Sequence, residues 1–237
     1  MQYVKIKDVI VEQIESGQLS PRQKLPSERK LAELFDTTRV TLREALSLLE
    51  AEGRIYREDR RGWFISPLPL RYDPTLTLNF MDMAKAQNRE PLTELVGYKS
   101  MLADKKVSEL LCLPAFSDVF KVERVRYLEQ RPVVFVENYV RPECAPTLLD
   151  HDLSLSLTDI YREHYGIHYS EIRYRVSTTS LFGEVAQKLR ATAGSPVMLL
   201  QRINYDQQGN LIDCALEYWR HDAICIESAI KLTSTHN

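Results

Sequence analysis

Apolar residues recur at two different spacings along this chain, and the change of spacing divides it. Over residues 3–14 they fall at helical intervals (Val4, Ile6, Val9, Ile10, Ile14), which predicts an amphipathic helix ended by Gly17. Leu31, Leu34 and Phe35 predict a second helix beginning after Ser27. Asp36, Thr37 and Thr38 break that pattern with side chains that favour turns and helix starts. A third apolar stripe follows, opening at Val40 or Leu42 and continuing through Ala45, Leu46, Leu48 and Leu49 to a stop at Gly53. Residues 54–57 and 63–66 then read as two short strands around a charged turn, residues 58–62. A helical stretch over residues 76–87 comes next, and beyond it period two prevails. Strands are expected over residues 93–102, 119–128, 133–140, 169–179, 197–205 and 211–220, and helices over 105–111, 157–165 and 184–189. Residues 129–132 and 206–210 close two hairpins, with Gly209 free to take positive φ. The prolines at 67, 69 and 74 predict an extended, stiff connection between the two textures.

The expected fold class is therefore α+β in two domains: a winged helix-turn-helix over residues 1–66, a linker over 67–75, and a mainly antiparallel sheet domain over 76–237. Arg39, Thr41 and Arg43 stand at the start of the third helix, largely off its apolar stripe. Two guanidinium groups and a hydroxyl at a helix start suit major-groove reading, where arginine donates twice to guanine and hydroxyls grip phosphate. Charge totals argue the other way. The formal net charge is −2, and the first 66 residues hold 12 Lys/Arg against 11 Asp/Glu. DNA affinity must then come from how a few arginines cluster rather than from bulk charge. The four cysteines are far apart and the histidines lack ligand spacing, so no metal site is expected. No signal peptide or membrane-length apolar run is read, and a cytoplasmic protein with reduced thiols is expected. Neither a nucleophile–base pair nor a cofactor motif is found.

The stretches LPSER, LAELF, TTRVTLREAL, LEAEGRIYRED and RRGWFIS together resemble the DNA-binding domain of the GntR family of bacterial transcription regulators. That resemblance implies DNA contacts at Arg29, Thr38, Arg39, Thr41 and Arg43, and in the wing at Arg61 and Gly62. The family more often carries Gly-Thr-Phe-Val where this chain has Gly62-Trp63-Phe64-Ile65, and the indole is expected to pack. FKVERVRYLEQRPVVFVENYV and SPVMLLQRINYDQQGNLIDCALEYWRHD resemble the UTRA effector domain of the HutC branch. This implies a chorismate lyase-like fold, a small-metabolite effector and a homodimer.

Arg124 and Arg126 lie two apart on one strand, hence on one face, and two buried guanidinium groups need a compensating anion. Glu137 on the partner strand and Glu217 near the end of the chain are the candidate carboxylates. By the resemblance, Arg124, Arg126, Glu137 and Glu217 line an effector site, with Thr93 and Tyr205; Ser156 and Thr158 are further candidates. REDRRGWFISP followed by RYDPT is similar to regulators of phosphonate use, the PhnF/PhnR group. The expected effector is a phosphonate such as 2-aminoethylphosphonate, with phosphorylated amino sugars as the alternative. The expected partner is a palindromic double-stranded operator, read as a repressor dimer with heads about 34–36 Å apart. The competing expectation is a metabolite-binding enzyme of chorismate lyase-like fold with a DNA-binding head.

Overall fold

A computed structural model describes residues 1–74, 76 and 79–229. Three helices open it: α1 (Gln2–Glu15), α2 (Glu28–Leu34) and α3 (Arg39–Ala51). Ile6 and Ile10 of α1, Leu31 of α2 and Leu42, Ala45, Leu46 and Leu49 of α3 form one core with Ile55, Trp63 and Ile65. The choice between Val40 and Leu42 falls to Leu42, which is fully buried, whereas Val40 is 68% exposed. Leu34, expected to face the core, is exposed. Ser27 caps α2 by accepting from the Lys30 N–H, and Thr38 caps α3 by accepting from the Thr41 N–H. The wing pairs β1 (Ile55–Glu58) with β2 (Gly62–Ile65) in antiparallel register, and Lys24 adds a bridge to Phe64. Gly62 sits at φ +100°, where a side chain would strain the turn.

The connection after the wing is extended, but it is also clasped. β3 (Leu70–Tyr72) pairs in parallel with β10 (Ile224–Ile226), a small sheet the proline-rich pattern did not announce. The Gln87 side-chain amide takes the Arg71 backbone from the other side, accepting from its N–H at 2.9 Å and donating to its carbonyl at 2.8 Å.

The second domain runs α4 (Phe80–Lys85), β4 (Pro91–Leu102), α5 (Lys105–Leu110), β5 (Asp118–Leu128), β6 (Arg131–Val140), α6 (Leu157–Tyr165), β7 (Tyr169–Ser180), α7 (Gly183–Lys188), β8 (Pro196–Asp206) and β9 (Leu211–Arg220). Its six long strands form one sheet in the order β4-β5-β6-β9-β8-β7, with every neighbouring pair antiparallel. Glu129 and Gln130 make the β5–β6 turn with both φ positive, a twist that matches the strands and that Asn-Gly more often supplies. α4 and α6 pack on one face of the sheet, against Val134, Val136 and Trp219 and against Val122 and Val140. α5 and α7 cover the other, against Val119, Cys214 and Leu216 and against Val125, Phe135 and Val197.

Candidate DNA-reading surface and effector cavity

Around the start of α3, three elements are tied together by one carboxylate. Glu28, at the start of α2, accepts from Arg43 Nε at 2.8 Å and from the Trp63 indole N–H at 3.2 Å. The indole is buried, so the wing's unusual residue packs and at the same time anchors Glu28. Burial opposes ionisation of Glu28, but the bonds from Arg43 and Trp63 outweigh it and hold the carboxyl below its ordinary range. Arg39, Arg43 and Arg29 are exposed, and Arg29 reaches Glu33 only at 3.8 Å. Thr38 and Thr41 join hydroxyls at 3.0 Å, so part of their chemistry is spent on capping the helix. Arg61 pairs with Glu58 and lies over the Phe64 ring at the wing tip, beside Gly62. The seven residues implicated by sequence thus fall at the starts of α2 and α3 and in the wing, and none of their charged groups is turned into the core.

On the sheet face under α4 and α6 lies an open cavity of about 840 Å³. β5 brings Arg124 and Arg126 to its wall, β8 brings Arg202, and β9 brings Glu217; Thr93 of β4 and Ser156 and Thr158 at the start of α6 complete the rim. Ala215, small and central on β9, leaves room above the floor between Asn138 and Arg202. Arg124 is buried and donates to the Leu155 carbonyl at 2.9 Å and to Asn138 Oδ1 at 2.7 Å. Burial, then the neighbouring Arg126, lower it to about 9, which leaves it protonated at neutral pH. Arg202 faces Glu217 at 3.4 Å, and that carboxylate also accepts from the Trp219 indole at 2.8 Å. Burial acts against the Arg202 charge, but Glu217 and then Tyr72 hold its affinity for the proton above the ordinary arginine value.

Arg126 differs from both. It lies over the Phe80 ring at 5.2 Å, and among the described residues no protein acceptor is found for its N–H groups. Burial lowers its proton affinity, Glu217 opposes that, and Arg202 adds to the lowering. Three guanidinium groups therefore share one face with Glu217 and with Asp213. The Asp213 carboxyl is raised by burial although it accepts from Tyr169 at 2.7 Å and from Asn204. The sheet floor of the cavity carries more positive than negative charge and has room for an anion.

Two expected residues lie elsewhere. Glu137 stands opposite Glu123, not Arg124, and its side chain meets Lys121 at 2.8 Å on the α5 face. The cause is register: Arg124 pairs with Val136, so Glu137 is one position off and points the other way. Tyr205 packs under the Arg173 guanidinium at 4.7 Å, joins the α5-side core and does not line the cavity. Arg202 was missed. Its sequence signal was faint: a lone arginine in strand context, with its same-face neighbour Asn204 two positions on.

Comparisons with known proteins fit this geometry. Residues 2–65 match the model for bacterial regulatory proteins of the GntR family, and residues 86–224 match the UTRA domain. The chain is 32% identical over 213 residues to the uncharacterized HTH-type transcriptional regulator YihL of Escherichia coli, covering 89% of this chain and 90% of that one. It is 29% identical over 220 residues to the HTH-type transcriptional repressor NagR of Bacillus subtilis, covering 93% and 90%. The crystal structure of PhnF from Mycobacterium smegmatis superposes with a TM-score of 0.67 at 24% identity, over 96% of this chain and all of that one, and shares its fold.

Proposed function

This chain belongs to the GntR family of transcriptional regulators with a UTRA domain, and we propose that it is a repressor whose hold on its operator is set by a small dianion in the cavity between the sheet, α4 and α6. The observation that carries the effector reading is Arg126: a half-buried guanidinium without an acceptor among the described residues, beside two further arginines that Glu217 alone does not balance. A phosphonate or phosphate monoester supplies two charges and three acceptor oxygens in one group, which suits such a cluster. The likeness to phosphonate regulators noted above favours 2-aminoethylphosphonate, and phosphorylated amino sugars stand second. With Glu137 outside the cavity, Glu217 is the carboxylate left to meet an ammonium group. Arg39 and Arg43 read base edges from α3, Thr38, Thr41 and Arg29 hold phosphate, and Arg61 and Gly62 bring the wing to the duplex. The reading unit is a homodimer on a palindrome, and the relative NagR, itself named a repressor, supports the sign.

The test is fluorescence anisotropy on duplexes from the gene's own neighbourhood, with 2-aminoethylphosphonate and glucosamine 6-phosphate titrated in. A salt-sensitive, sequence-preferring complex that one of these dissociates is expected. Replacing Arg126 with Ala should abolish the dissociation and leave operator affinity within about twofold. A full response from R126A would remove the cavity from the account, and no preference among duplexes at any concentration would remove the operator.

A further inference from the structure

One end of the sheet holds the reading unit in place through charges that neither DNA nor effector accounts for. Arg131 begins β6, and Arg220, His221 and Asp222 end β9 and continue past it; the two strands are neighbours, so these residues share an edge. Arg131 donates to both oxygens of Asp222, at 2.9 and 2.6 Å, with both side chains buried. Burial opposes the Asp222 charge, and Arg131 and Arg220 outweigh it. From this buried pair the contacts run outward to the reading unit. The Asp222 carboxylate accepts from Ser66 at 3.0 Å, just past the wing. The Tyr56 ring of β1 lies under the Arg131 guanidinium at 3.4 Å and within 5.4 Å of that of Arg220. Arg220 donates to the Arg57 carbonyl at 2.9 Å, and the Arg190 carbonyl accepts from the Asp59 N–H at 2.9 Å, so the outer edge of β1 is hydrogen-bonded to the second domain instead of to water. His221 Nε2 lies 2.7 Å from the Glu50 carbonyl, in the last turn of α3, which also accepts from the Gly53 N–H at 2.9 Å.

The second domain therefore grips the wing by its free edge and the reading helix by its C-terminal end. We propose that Arg131, Arg220, His221 and Asp222 are positioning residues that fix the angle of each reading head and, in the dimer, the distance between the two. The same strand reaches the cavity: Trp219, next to Arg220, donates to Glu217 and packs against Phe80, the ring beneath Arg126. An anion that draws on Arg126 or Glu217 thus acts within a few residues of the grip. This inference rests on the paired reading of a palindrome proposed above.

The experiment uses the full chain and a palindrome selected by the wild-type protein from random duplexes, together with versions whose half-sites are one base pair closer or farther apart. Wild type should lose at least about tenfold in affinity on the altered spacings, the scale of one or more poorly met base contacts. The double variant R131M/D222L removes the pair with no change in net charge, and the buried Arg220, which meets Asp222 at 3.6 Å, keeps its bonds to the Leu189 and Arg57 carbonyls. This variant should lose less than about threefold, while the affinity of each head for an isolated half-site stays at the wild-type value. H221Q, at a partly exposed position, should relax the discrimination in the same direction and serves if the double variant does not fold. Variants that fold and keep the wild-type dependence on spacing overturn the joint alone. A wild-type protein indifferent to spacing overturns the paired reading and the joint with it.

Discussion

At the scale of single residues, three expectations follow from what each side chain touches. Arg39 is exposed at the start of α3, and its replacement by Ala should weaken operator binding by about 1–3 kcal/mol and relax preference at one base position. Anisotropy on single-base operator variants measures both effects. Val40 is beside it, 68% exposed on a helix that buries its other large apolar residues more deeply. An aliphatic group there fits a thymine methyl in the major groove. Replacing thymine by uracil at one half-site position should cost affinity for the wild type and nothing for V40A. Glu28 carries the pH dependence. Its folded-state carboxyl titrates below the ordinary glutamate range, so its contribution is complete above that range and is lost as pH falls through the folded value. E28Q should be less stable than wild type at pH 7, with the gap narrowing as pH falls below the ordinary glutamate range in denaturant titrations.

At the scale of elements, the helices and long strands were legible because their apolar positions keep one period for two or more turns or for several pairs. β9 and α6 coincide with the spans read from sequence, residues 211–220 and 157–165. β3 and β10 were not legible. Each is three residues long, and each becomes a strand only through a partner some 150 positions away in the chain. The cavity was half legible for a related reason. Arg124 and Arg126 share a face by period alone, whereas the face of Glu137 depends on the register across a hairpin with a shift between Arg126 and Tyr127. Capping chemistry, by contrast, is local: Thr38 before α3 announced itself, and the structure shows its hydroxyl accepting at 3.2 Å. T38A should lower the stability of the reading unit by about 1 kcal/mol, read as a shift in the denaturant midpoint at constant slope.

For the whole molecule, the central fact is that two units with separate cores are joined by more than a linker. The strand that leaves the wing is held by β10 on one side and by Gln87 on the other, with Arg71 between them. Arg71 is an exposed arginine in a proline-flanked extended stretch, ordinarily a place where trypsin cuts. A protease needs the backbone free to enter its own active-site groove, and here that backbone is already engaged on both sides. Intact protein should resist nicking at this bond. Q87A, or a chain shortened to end at Ala223, should instead shed a fragment ending at Arg71 within minutes, visible as a new band of about one third the mass on a denaturing gel.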